Sequence, residues 1–153
     1  MWKSMIGAPL FCAFLLSAAG TVIARPACAE EPAKLSFAEL YKSIGVLGLQ
    51  FSDRVKSLGQ KPVAMRGYMA PPLKPEADFF VMTKEPVSLC PFCQSDADWP
   101  ADIVVVHLQK GTTLTSNTAP IEVVGVLEVG SQTDPKTGFV SLLRIIEARV
   151  RRL

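Results

Sequence analysis

The chain has 153 residues, with 16 Lys and Arg against 14 Asp and Glu and a formal net charge of +2. This length suits one domain with one modest core. The near balance of charges argues against a surface built for general nucleic-acid binding, so no nucleic-acid partner is expected. Four cysteines are present, and Cys90 and Cys93 form the only close pair.

Residues 1–29 are predicted to be a secretory signal peptide. Lys3 supplies the positive start, residues 5–24 carry no charge, and small residues follow at the position that a signal peptidase reads. Cleavage after Ala29 leaves 14 basic and 14 acidic residues, and a cut after Ala24 is the alternative. An uncleaved membrane anchor is the other interpretation, since ~20 apolar residues can span a bilayer. We expect a periplasmic or secreted protein with no membrane span after cleavage.

Residues 30–60 are predicted to form an N-terminal segment of short helical and extended pieces. Ser36 and Glu39 have the spacing of a capping box, which predicts a short helix through about Ser43. An extended stretch should follow, and then one further helical turn over residues 52–58.

Residues 61–153 are predicted to form a β domain of five strands. The third strand is apolar on both faces, which indicates a central position in the sheet. Five strands in so short a domain favour a small OB-like barrel, with a β-sandwich as the alternative and a thioredoxin fold disfavoured. Gly67 and Gly125 could permit the sharp bends of such a barrel. The strands are predicted at residues 62–69, 78–83, 102–108, 121–129 and 139–149.

Alternation along these strands predicts which residues face the interior. Four arginines near the C-terminus, Arg144, Arg149, Arg151 and Arg152, are interpreted as a solvated strand end rather than a functional patch. Nine apolar residues are predicted to form the core: Val63, Met65, Phe80, Val104, Val106, Val123, Leu127, Leu143 and Ile145.

The clearest chemical signal is Cys90-Pro91-Phe92-Cys93, and three interpretations of this pair remain open. A structural disulfide is possible in an oxidising compartment, but a ring this short gives little chain-entropy stabilisation. Alternatively, two thiolates are half of a tetrahedral zinc site or a soft copper site. His107, the single histidine of the chain, would be the third ligand. Zinc or copper is the predicted cofactor on that interpretation.

Thiol–disulfide exchange is the third interpretation of this pair. Cys-Pro-x-Cys resembles the motif of glutaredoxins and related oxidoreductases. Reactivity needs a lowered thiol pKa, and the nearby Asp96 and Asp98 would act in the opposite direction. No Ser/His/Asp order, Gly-rich phosphate loop or metalloprotease helix is present, so the sequence favours a protein that is not an enzyme.

Residues 63–72, reading Val-Ala-Met-Arg-Gly-Tyr-Met-Ala-Pro-Pro, resemble a segment of an uncharacterised family of exported bacterial proteins. The likeness extends over about residues 50–150 and includes the Phe-Phe-Val-Met strand at 79–82, a cysteine-containing loop and a Val-rich strand. Some members of that family occur beside metal-uptake or membrane-transport components. The resemblance therefore implies an exported accessory or binding module, with a protein partner in such a system. A periplasmic thiol–disulfide oxidoreductase is the alternative function.

Overall fold

The computed structural model describes residues 31–45, 48–71, 78–87, 99–112 and 118–153, and the predicted signal peptide lies outside them. The protein is mainly β. The described residues contain a 3₁₀-helix at Phe37–Glu39 and one short α-helix, α1, at Asp53–Leu58. The strands are β1 (Ala33–Lys34), β2 (Tyr41–Gly45), β3 (Gly48–Phe51), β4 (Pro62–Met69), β5 (Phe79–Thr83), β6 (Ile103–Leu108), β7 (Ile121–Thr133) and β8 (Val140–Arg152). None of the helices in these residues is long and apolar enough to cross a membrane.

Strands β4 to β8 form a closed ring of pairings, here called the ring. β4 pairs with both β5 and β7, β5 pairs with β6, and β8 pairs with both β6 and β7. Every pair is antiparallel except β6 with β8, which is parallel. β1 adds a short parallel pairing to β4, and β2 with β3 forms a separate hairpin. The predicted central position of the third strand is confirmed, because β6 lies between β5 and β8.

All five predicted strands are confirmed, and two of them are longer than predicted. β7 continues to Thr133 and β8 to Arg152, because their antiparallel ladder extends from the pairing of Ile121 with Arg152 to that of Thr133 with Val140. The long connection predicted over residues 130–138 therefore shortens to residues 134–139.

The prediction of a helix through Ser43 is wrong beyond Glu39. The predicted cap forms, since the backbone nitrogen and Oγ of Ser36 lie 2.9 and 2.8 Å from Glu39 Oε2, but only three helical residues follow. The chain then enters β2, and the Tyr41 ring stacks on Phe51 of β3 at 5.6 Å. Pairing and packing with β3 therefore outweigh the local helix signal.

The second predicted helical turn is confirmed as α1. Ser52 caps it by accepting a hydrogen bond from the Val55 backbone nitrogen at 3.1 Å. The same hydroxyl donates to the carbonyl of Glu39 at 2.6 Å, which ties α1 to the end of the 3₁₀-helix. Val55 is fully buried, so this turn contributes to the core.

The core lies inside the ring, and its predicted membership is confirmed. All nine predicted residues are buried in one cluster. The ring strands add Met82, Ile121 and Ala148 to this cluster, and the N-terminal segment adds four further buried side chains, namely Leu35, Phe37, Leu40 and Val55.

Two glycines in the ring are required by close approach of the backbone. A Cβ on Gly67 would lie 2.6 Å from the carbonyl oxygen of Thr83 on β5. A Cβ on Gly125 would lie 2.5 Å from the carbonyl oxygen of Ile146 on β8, at a register shift between the two long strands. Any larger residue would push the strands apart at these points.

Arg144 corrects the interpretation of the C-terminal arginines as solvated. Only 6% of this residue is exposed. Its guanidinium contacts the Glu128 carboxylate at 3.1 Å and donates to the carbonyls of Gly130 and Ser141 at 2.9 and 3.0 Å. The side chain can be buried because hydrogen bonds and an opposite charge replace its water. The other three arginines are exposed, as predicted.

Candidate functional site

The predicted metal ligands are Cys90, Cys93 and His107, and the structure describes the third. His107 lies on β6 directly opposite Phe79 of β5, and the two rings are 5.4 Å apart. Cys90 and Cys93 fall within residues 88–98, which lie outside the described residues.

An apolar cluster covers the outer face of β5 and β6, and we call it the outer cluster. The strands themselves contribute Phe79, Val81, Ile103 and Val105, and Ala70 joins them from the end of β4. Side chains from connecting segments pack against this face, namely Val87, Trp99 and Phe139. β5 and β6 are thus apolar on both faces because each face has its own cover.

Aromatic rings run across the outer cluster toward His107. The Trp99 and Phe139 ring centroids are 6.2 Å apart, and those of Phe139 and Phe79 are 5.6 Å apart. Phe79 in turn contacts the imidazole of His107. Val87 and Trp99, the described residues on either side of the cysteine-bearing residues 88–98 in sequence, both pack against this cluster.

Trp99 is held in place by the N-terminal hairpin. Its indole nitrogen donates to the hydroxyl of Tyr41 at 2.9 Å, while the Tyr41 ring stacks on Phe51. Burial raises the pKa of Tyr41 to about 12, although the hydrogen bond from Trp99 acts in the opposite direction. Tyr41 is therefore a neutral phenol at physiological pH.

The imidazole of His107 is half-buried, and its surroundings favour the neutral form. Burial is the largest influence and lowers the pKa of His107 below its usual value. The carboxylate of Asp134 acts against this, and the guanidinium of Arg144 reinforces it. Glu128 and Asp78 also raise the pKa, but more weakly. A neutral imidazole is the form that binds metal ions.

A polar corner lies beside His107, where the connection between β7 and β8 meets the start of β5. Asp134 accepts hydrogen bonds from the backbone nitrogen and hydroxyl of Thr137, both at 2.7 Å, and from the backbone nitrogen of Lys136 at 3.2 Å. The hydroxyl of Thr137 is the main cause of the lowered pKa of Asp134. Lys136 forms an ion pair with Asp78, which immediately precedes β5. These contacts fix the turn against the strand that carries Phe79.

His107 alone does not make a metal site. Across the described ranges, no three His, Cys, Asp or Glu side chains are grouped closely enough to hold a metal ion. The donor chemistry of a neutral imidazole and two thiolates would suit zinc or copper, so such a site needs Cys90 and Cys93.

Sequence reasoning missed the residues that build the surroundings of His107. Phe139 and Tyr41 come from segments far from β6 in sequence, and their convergence depends on the ring and the hairpin together. The sequence held one signal of these residues: the third predicted strand is apolar on both faces, so side chains from elsewhere must shield its outer face from water.

Comparisons with known proteins identify a fold relative. No protein-family model matches the chain, and no curated protein matches it. Among solved structures, the chain is similar to the crystal structure of a DUF3299 family protein from Pseudomonas aeruginosa PAO1, with a TM-score of 0.52 and 16% sequence identity. The match covers 80% of this chain and 97% of that one. This likeness shows a shared fold, and it agrees with the resemblance to an uncharacterised bacterial family.

Proposed function

We propose that the protein is an exported, non-enzymatic binding module whose ring is an OB-like barrel. Three features of the pairing support this architecture. The first strand of the ring pairs with the second and the fourth, and the third pairs in parallel with the fifth. Gly67 lies where β4 passes from its pairing with β7 to its pairing with β5, which suits the bend of a small closed barrel.

The proposed binding surface is the His107 end of the outer face of β5 and β6, where the cover leaves the imidazole half-buried. OB barrels bind ligands on the face of their second and third strands, on the loop between strands 1 and 2, and on the loop between strands 4 and 5. β5 and β6 hold those positions in the ring. The corresponding loops here are the β4–β5 and β7–β8 connections. The polar corner formed by Asp78, Asp134 and Lys136 joins these two loops beside His107.

The proposed ligand is a zinc or copper ion held by Cys90, Cys93 and His107. One observation carries this proposal: Val87 and Trp99, which flank residues 88–98 in sequence, pack against the outer cluster, and the ring of Phe79 connects that cluster to the imidazole of His107. When bound, the metal would be the group that the module presents to or receives from a metal-uptake or envelope transport component.

The test is the metal content of protein purified from the periplasm, measured by mass spectrometry. We expect about one zinc or copper ion per chain in the wild type, and loss of that ion in the variants C90S/C93S and H107N. D78N is the matched control, because it breaks the ion pair with Lys136 beside His107 without removing a proposed ligand. Metal-free wild-type protein that also fails to take up zinc or copper in vitro would refute the proposal.

A thiol–disulfide oxidoreductase is the second candidate, and the Cys-Pro-Phe-Cys motif favours it. This function requires a thiolate at neutral pH. Alkylation of Cys90 with iodoacetamide over a pH series gives its pKa directly, and insulin reduction tests for catalysis. A low thiol pKa with insulin reduction that is lost in C90S would favour the oxidoreductase over the binding module.

A further inference from the structure

A groove lies at the end of β5 that is remote from His107. It has a volume of about 460 Å³, within the range of small-ligand sites. Its apolar wall comes from the 3₁₀-helix and the residues before it, and includes Leu35, Phe37 and Ala38. Ala64 and Arg66 of β4 line the opposite side.

The groove lies at a gap in the ladder of β4. β1 pairs with Val63 and Ala64, and β5 pairs with Tyr68 and Met69. Among the described strands, residues 65–67 pair with β7 alone. This edge of β4 therefore has no ladder partner for about three residues, or roughly 10 Å, and Thr83 of β5 closes in only at Gly67.

Arg66 directs its backbone polar groups into that gap. The carbonyl of Ala64 accepts from Leu35 on the β1 side at 3.0 Å, and the backbone nitrogen of Ala70 donates to Val81 on β5 at 2.9 Å. Backbone groups alternate between the two edges of a strand, so Ala64, Arg66 and Ala70 face the same edge. An edge that presents a free N–H and C=O is a template for another chain.

The charges around the groove favour an anion. Both carboxylates in its lining are already engaged: Glu39 by Ser36 and Arg54, and Glu122 by Arg66 and Arg151. Lys34 and Lys84 also line the groove. Among the described residues, Lys84 forms one ion pair, with the exposed Glu85 at 3.8 Å, and Lys34 forms none. An exposed pair of this kind is weak, so a bound carboxylate can compete with Glu85 for Lys84.

We propose that this groove binds the C-terminal residue of a partner polypeptide. The last peptide N–H donates to the Arg66 carbonyl, and one terminal carboxylate oxygen accepts from the Arg66 N–H. The other carboxylate oxygen lies between Lys34 and Lys84, and an apolar side chain packs on Phe37 and Ala38. Capture of a terminal carboxylate and addition to a strand edge are both established modes of peptide recognition.

The probe is a fluorescein-labelled peptide, Gly-Ser-Ala-Ala-Leu, with a free C-terminus, and its fluorescence anisotropy is measured against the full mature protein. We expect saturable binding that weakens about tenfold when the terminus is amidated, because a charge-assisted hydrogen bond is lost. The variant K34A/K84A should weaken binding by a similar factor. The control K42A/K110A removes the same charge from exposed sites outside the groove lining and should leave affinity unchanged.

A second variant tests the groove without changing charge. Ala38 is exposed and lines the groove, so A38W should fill it and abolish binding while the melting temperature stays at the wild-type value. Failure of the free-acid peptide to bind, equal affinity for the acid and the amide, or unchanged affinity in A38W would each overturn the proposal. Metal content is measured in parallel, so that this result stays separate from the test of the cysteine site.

Discussion

The two faces of β5 and β6 are both apolar, but they are covered in different ways. The inner face packs inside the ring, against strands that belong to the same continuous sheet. The outer face is covered by side chains from connecting segments, and the N-terminal hairpin holds one of them in place. The residues of the inner cluster can therefore be identified from the sequence pattern of the strands. The residues that cover the outer face cannot, because they depend on how the connecting segments fold back onto the sheet.

The largest effect is expected inside the ring. Leu143 is fully buried in the inner cluster, so L143A should lower the free energy of unfolding by about 2–5 kcal/mol through lost burial and the cavity left behind. Urea denaturation gives the value. The matched control is L142A, since the neighbouring Leu142 faces the other side of β8 and is only partly buried, and it should cost less. A loss below about 0.5 kcal/mol for L143A would contradict the assigned inner face.

A substitution at the close contact between β7 and β8 should lower the free energy of unfolding nearly as much. G125A places a Cβ against the Ile146 carbonyl, and such overpacking costs about 1–3 kcal/mol. G59A is the control, because its Cβ would meet its nearest atom, the carbonyl oxygen of Lys56, at an ordinary 3.4 Å. Equal denaturation midpoints for the two variants would show that β7 and β8 can separate at this point without cost.

Sequence alone predicted the ring strands and the inner core, because β4 and β7 carry an alternating pattern and β5 and β6 are short apolar runs bounded by polar segments. It failed where a long-range partner overrides a local signal. The helix signal at Ser36 and Glu39 was outweighed by the β2–β3 hairpin. Arg144 was assigned to solvent because the sequence does not reveal that Glu128 and two carbonyls surround it.

The candidate site was predicted less completely than the fold. His107 was identified because it is the single histidine of the chain, and the structure adds the burial that lowers the pKa of its imidazole. The aromatic path to it joins residues from four separate segments, which no spacing rule connects. The groove at Arg66 was missed for a related reason, since a gap between two ladders is a property of the pairing and not of one strand.

A smaller effect is expected on the outer face of β5 and β6. The hydrogen bond from Trp99 to Tyr41 links the outer cover to the N-terminal hairpin. A double-mutant cycle of W99F and Y41F should give a coupling energy of about 0.5–1.5 kcal/mol, the usual net value of one hydrogen bond. Stability is measured by urea denaturation of the wild type, both single variants and the double variant. A coupling energy of zero would mean that the cover of β5 and β6 does not depend on the hairpin.

The smallest effect at neutral pH belongs to the polar part of the outer surface, where β4, β7 and β8 carry charges in place of aromatic rings. Glu122 interacts with both Arg151 and Arg66, and hydrogen bonds from these two arginines lower the pKa of its carboxyl. A carboxyl whose pKa is lower in the folded state contributes stability above its unfolded value of about 4.5, and loses that contribution as the pH falls through the folded pKa. E122Q should therefore flatten the decline in melting temperature below pH 4.5, with little change at pH 7 because exposed ion pairs contribute little. E85Q makes the same change of charge beside a single lysine. Identical dependence of the melting temperature on pH for E122Q and E85Q, from pH 3 to 7, would show that the two arginines do not stabilise the charged form of Glu122. The ion pairs on β4, β7 and β8 would then contribute no more to stability than isolated exposed charges.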